Sequence, residues 1–210
     1  MIYDFPGVEA PIRQGDIFTG MPRVDLSLKN FVVIDDEGNA LPAKWPEIAK
    51  IGKPVVIPVP VKPVTAIVAT QDCDAIRAPE IVLCEVQPFE QVEGKLKTIT
   101  NTRKIVDLIT QHSRINQKWF YLPPSEKLGL GSKMAVDFRL TLRVHREDLE
   151  DLKPSRVGRL NDLAQAHFRE RIGEFFRRYP YDEWYPLTQE ETDAYAKDRE
   201  NVTRYPWQKS

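Results

Sequence analysis

The sequence predicts an α+β fold: a mainly antiparallel, partly open β-barrel over roughly residues 10–145, then one amphipathic helix and an irregular tail. Three observations carry that expectation. Short apolar runs rich in β-branched residues recur along the first two thirds of the chain, separated by turn residues. Seventeen prolines work against long helices where they cluster. The strongest three-and-four spacing of apolar residues comes late, after residue 155. Short strands joined by turns fit a small barrel or sandwich better than a wound parallel sheet.

Taken in order, Gly15-Asp16-Ile17-Phe18 reads as a turn entering a strand, and Phe31-Val32-Val33-Ile34 as a compact second strand. Asp35 to Asn39 carries turn chemistry. Residues 40–53, with Trp45 and two prolines, read as an irregular excursion or short helix. Val55 to Val61 alternates prolines with β-branched residues, so it is an edge strand or an extended connector, because proline cannot donate to a ladder. Thr65-Ala66-Ile67-Val68-Ala69-Thr70 is the best central strand, and it runs into the polar cluster Gln71-Asp72-Cys73-Asp74. Ile81 to Val86 is a second buried strand, stopped at Pro88. Residues 98–116 suit a helix; Trp119 to Leu122 and Met134 to Leu142 suit two strands, with Gly129-Leu130-Gly131 as the turn between them. From Arg156 to Arg178 the spacing predicts an amphipathic helix capped by Ser155 and ended before Pro180. The domain division expected is 1–150 for the sheet and 151–210 for helix and tail.

Composition sets limits on function. With 41% hydrophobic and 29% charged residues in a chain of 210, there is enough apolar material to close a core. A net charge of −1 gives no global field to draw the chain to nucleic acid or an anionic membrane. Pro54 to Thr70 is the most apolar stretch, but Lys62 and four prolines interrupt it, so no bilayer helix is expected. The amino terminus lacks the pattern of a signal peptide, and two cysteines are few for a secreted scaffold, so a cytoplasmic location is expected.

The strand patterns of Gly15-Asp16-Ile17-Phe18, Ala66 to Thr70 and Ile81 to Val86 resemble the core of MazF/PemK-type toxins, small SH3-like β-barrels that cleave RNA. The resemblance covers about the first 90 residues and implies an SH3-like, partly open barrel. Two functional positions of that family differ. Val64 and Thr65 stand where the toxins place an arginine before the central strand, and Lys62 is the nearest cation. Gln87-Pro88 replaces a Ser/Thr after the next strand. The resemblance therefore implies the shape of a toxin without its charged clamp. Gln71-x-Cys73-Asp74 also looks like a motif of uncharacterised bacterial proteins.

Asp72, Cys73 and Asp74, with Arg77, are the candidate catalytic set: a strand-end loop offering carboxylates, a thiol and a phosphate clamp, for which Arg103 is an alternative. The same residue types also make turn hydrogen bonds and fill small buried spaces. Carboxylates beside a thiol disfavour its thiolate, which counts against a nucleophile. No paired metal-ligand spacing occurs among the cysteines and the scattered His112, His145 and His167, so no metal or cofactor is expected. His167 falls on the apolar stripe of the late helix and is expected to pack in the core, and His145 at the surface.

Residues 139–178 hold ten basic and seven acidic side chains, whereas residues 179–210 hold seven acidic and four basic. The candidate binding residues are therefore Arg156, Arg159, Arg169, Arg171, Arg177 and Arg178, with Trp119 and Tyr121 for stacking or anchoring. The same arginines also suit a solvated helix face paired with the tail. The asymmetry predicts that the tail competes with a partner for the basic helix, so that deleting residues 179–210 strengthens binding of an anionic ligand.

Three functions follow, in order of expectation. The first is a non-enzymatic bacterial binding module, for a protein or for RNA or DNA, in a stress, toxin–antitoxin or mobile-element defence system. The second is a MazF-like RNA endonuclease with relocated catalytic residues, and the third a Cys73-centred thiol or metal enzyme. A homodimer through the late helix is an open alternative, and no membrane partner is expected.

Overall fold

The computed structural model describes residues 2–28, 31–35, 37–99, 101–115 and 118–177, with the isolated positions 188, 190 and 193. Met1–Phe175 forms one compact unit and Phe176–Ser210 a second. Apart from those three positions the expected tail lies outside the described residues, as do Arg178 and the proposed competition between tail and helix.

Nine strands are described: β1 (Tyr3–Asp4), β2 (Asp16–Val24), β3 (Phe31–Ile34), β4 (Ala40–Ala43), β5 (Val61–Val68), β6 (Glu80–Pro88), β7 (Trp119–Leu122), β8 (Met134–His145) and β9 (Arg156–Leu160). Seven of them form one sheet in the order β1-β9-β2-β5-β6-β8-β7, and β3 pairs with β4 in a separate hairpin. Each neighbouring pair is antiparallel. Among the described residues β1 and β7 are the two edges, so the sheet is not closed into a barrel. The fold class is α+β with a mainly antiparallel sheet, as expected.

Alternation within the strands makes two apolar faces. Ile17, Ile67, Cys84, Val86, Val136 and Phe138 point to one face, where Ala164 and Phe168 of α6 (Asp162–Phe176) cover them. Phe168 is fully buried, its ring edge-on to Phe120 at 5.3 Å and tilted against Phe138 at 5.9 Å. Phe18, Met21, Ala66, Val68, Ile81 and Leu83 make the other face, with Ile12, Ala75 of α2 (Asp72–Ala75) and Leu149 of α5 (Arg146–Asp151) packed on it. At one end of this second face, Phe89 of α3 (Phe89–Val92) meets Trp119 and Ala135, and Ile109 of α4 (Thr102–Ile115) packs alongside. The remaining helix, α1 (Trp45–Ile51), follows β4 in the excursion expected over 40–53. Val55 to Pro60 is a connector whose tie to the hairpin is the bridge between Ile34 and Val56.

The structure corrects the start of the late helix. Residues 156–160 form β9 between β1 and β2, and α6 begins only after Asn161, whose side-chain Oδ1 accepts the Ala164 N–H at 2.9 Å. An asparagine cap thus replaces the expected Ser155 cap. The β-branched Val157 suits a strand, and Gly158 stands where neighbouring chain approaches too closely for a side chain. A Cβ on Gly158 would run into the Leu128 side chain and stand 3.1 Å from the Asp4 carbonyl oxygen. Gly15, at φ +89°, lets the entry to β2 exchange backbone bonds with Val68 on one side and Leu160 on the other. Among the described residues no helix is long and apolar enough to cross a membrane.

Candidate functional sites

The end of β5, the start of β2 and the middle of α6 meet at Asp72. Its Oδ1 accepts the Gln14 backbone N–H at 2.8 Å and Gln165 Nε2 at 3.1 Å. Its Oδ2 accepts Gln165 Nε2 at 3.1 Å and Arg169 Nη2 at 3.4 Å, and Arg13 Nη2 stands 3.7 Å away. The glutamines complete the net. Gln14 donates to the Ala69 carbonyl at 2.8 Å and accepts Arg169 Nε at 3.0 Å, and Gln165 Oε1 accepts Arg13 Nη2 at 2.9 Å. Both glutamines are buried. The clasp joins three segments that are distant in sequence.

The neighbouring candidates turn the other way. Cys73 is exposed. Asp74 and Arg77 pair with each other at 3.3 Å, both largely in solvent. The loop therefore does not gather Asp72, Asp74 and Arg77 around one point. Arg103 is exposed in the first turn of α4. Two other guanidiniums do reach Asp72: Arg13 from the approach to β2 and Arg169 from α6.

A second polar cluster lies on the sheet face shared by Ala66 and Trp119. The row Ala66, Glu85, Asp137, Trp119 runs straight across β5, β6, β8 and β7. Glu85 and Asp137 are both buried, and each is clamped by an arginine. Arg23 Nη1 donates to Glu85 at 2.7 Å, with Gln87 Nε2 on the other oxygen at 2.9 Å. Arg139 grips Asp137 through Nε at 2.8 Å and Nη2 at 2.6 Å. Like charges opposite each other on adjacent strands repel, and the two guanidiniums offset that cost. A bulge in β8 makes room: Cys84 pairs with Thr141, but Glu85 pairs with Asp137. Sequence reasoning passed over these residues. The signal was present as one acid inside each of two apolar runs, Ile81 to Val86 and Met134 to Leu142.

Arg156 and Arg159, expected to face phosphates, are instead buried and consumed by the fold. Both hold Asp16, which is fully buried, with Arg156 Nη1 at 3.0 Å and Arg159 Nη2 at 2.9 Å. Their other N–H groups cap the carbonyls of Gly7, Ala10 and Pro11, strapping the amino-terminal segment across the sheet end. Arg169 belongs to the Asp72 clasp, Arg171 pairs with Glu174 at 3.0 Å, and Arg177 is exposed. Trp119 is buried and Tyr121 half-buried.

His167 is exposed rather than packed in the core, and His145 is exposed as expected. His167 lines a groove of about 680 Å³ that runs along β7. Ile109 and Thr110 of α4 stand on one side of it, and Leu163, His167 and Arg171 of α6 on the other. Phe120 and Tyr121 form part of its floor.

Burial, with the neighbouring Asp137 charge adding to it, pushes the Cys84 thiol up to about 12. Among the described residues no group of three or more His, Cys, Asp or Glu side chains is placed to hold a metal ion. No family model and no curated protein matches the chain.

Proposed function

We propose that the chain is a binding module for a protein partner, of the kind that serves a bacterial stress, toxin–antitoxin or mobile-element defence system. An SH3-like ancestry, akin to the MazF/PemK toxins, is part of this reading. The meander β2-β5-β6-β8, with β9 returning beside β2, supports it. The carrying observation is the groove on β7: an aromatic edge strand flanked by two helices, with Leu163 lying 70% exposed on its wall. Apolar side chains held open in a concave surface are the anchors that protein interfaces use. The Asp72 clasp supports the same reading from the other side. Its carboxylate is engaged by Gln14, Gln165 and Arg169, which makes it a joint between segments of the fold.

Affinity capture from cells expressing the chain, compared between wild type and Leu163→Glu, tests this. The partner should be retained by the wild type and lost from the variant. An identical set of captured proteins from both would reject it.

One observation favours a second reading, an RNA endonuclease with relocated residues. Arg23 on Glu85 and Arg139 on Asp137 put two guanidiniums beside two buried carboxylates on one sheet face. Incubating the purified chain with single-stranded RNA separates the two readings. Cleavage by the wild type that Arg139→Ala abolishes would establish the enzyme, and intact RNA is the result expected for a binding module.

A further inference from the structure

Within the groove, the backbone of β7 carries information that the side chains alone do not. The Phe138 N–H donates to the Lys118 carbonyl at 3.0 Å, which sets the alternation of the β7–β8 ladder. In an antiparallel pair, backbone groups point to the partner at every second residue. Phe120 and Leu122 therefore turn their N–H and C=O toward β8, and Trp119 and Tyr121 turn theirs away from it. Tyr121 finds no backbone partner on that side among the described residues. Tyr121 lines the groove, and its outward-turned amide and carbonyl stand on that edge of β7.

We propose, resting on the binding-module reading, that this groove takes an extended segment of a partner protein as an added strand on the open edge of β7. Strand addition uses main-chain hydrogen bonds for affinity and alternate side-chain pockets for specificity. Both parts are present. An added strand pairs with Tyr121, and its side chains fall alternately toward α4, where Ile109 and Trp119 offer an apolar wall, and toward α6, where Leu163, His167 and Arg171 stand. Among the described residues that line the groove, Arg171, paired with Glu174 on its helix, is the one arginine or lysine, and no acid is among them. The segment that fits is apolar at alternate positions and carries a carboxylate on the α6 side.

A second copy of the chain fits less well. β7 is four residues long and has a helix on each side, so a second β7 would bring its own α4 and α6 into the same space. A single peptide strand, with neighbouring strands about 4.8 Å apart, needs no such room.

The test uses the full chain and a displayed library of random heptapeptides. Selected peptides should share apolar alternation with an acidic residue. N-methylation of the peptide amides that face Tyr121 should weaken binding by about tenfold or more, whereas methylation of the intervening amides should not. Binding should also slow exchange of the Tyr121 amide, and Leu163→Glu should remove both effects. Peptides that bind regardless of the methylated position would overturn strand addition. So would Tyr121 protection that grows with protein concentration in the absence of peptide, which would mark a second copy as the occupant. If no peptide is selected while the cellular partner is still lost from Leu163→Glu, strand addition fails and the binding module stands. If Leu163→Glu also retains that partner, both fail.

Discussion

Asp16 opens the strand that carries the toxin-like Gly-Asp pattern, yet in this fold its carboxylate is a structural anchor for Arg156 and Arg159. Removing it leaves two buried guanidiniums without their counter-charge. Asp16→Ala should therefore cost about 3–5 kcal/mol, read as a lower denaturant midpoint, and should free the amino-terminal strap to proteolysis. The two thiols differ as sharply. Iodoacetamide at neutral pH should label Cys73 alone in the native chain, and Cys84 only after denaturation. The raised Cys84 thiol also has a pH signature. The folded state holds this proton more tightly than the unfolded state, whose thiol ionises near ~8.5. Its contribution to stability is whole below that value and is lost as pH rises from there toward about 12. Chemical denaturation across this alkaline range should show a declining slope that Cys84→Ala flattens.

At the scale of elements, α6 separates burial from exposure along one helix. Phe168→Ala removes a fully buried ring from contact with Phe120 and Phe138 and should cost about 3–5 kcal/mol in denaturant unfolding. Leu163→Glu, at an exposed position, should stay within about 0.5 kcal/mol of the wild type. The sequence stripe placed both residues on the same apolar face. Spacing of three and four identifies the helix, but not which part of its apolar arc meets the sheet, because that depends on where β9 ends. β9 itself was hidden for a related reason. Val157 and Leu160 fit a helical period as well as an extended one, and only the tertiary pairing with Tyr3 and Ile17 decides between them. By contrast, the β5 and β6 cores were legible, because short β-branched runs bounded by polar residues have few other solutions. The Asp72 clasp was half legible. Gln71 to Asp74 stood out as polar chemistry at a strand end, but Gln14, Gln165 and Arg169 reach it across up to 97 residues, a distance that no local pattern spans.

For the molecule as a whole, the polar networks and the groove have different roles. Asp16 ties down the amino-terminal strap, Asp72 joins β2, the end of β5 and α6, and Glu85 and Asp137 sit on one sheet face with their arginines. Each satisfies buried charge within the fold, which leaves the edge of β7, among the described residues, as the surface that the proposed binding function uses. The Gly15-Asp16 opening of β2 serves as an internal lock through Arg156 and Arg159.

The sharpest measurement is a hydrogen-exchange footprint of the chain with its captured partner bound. Slowed exchange confined to residues 119–123 and 161–171 is the expected result. Protection centred on residues 13–14 and 72–77, with β7 unchanged, would contradict the groove as the functional surface and return the Asp72 loop to that place.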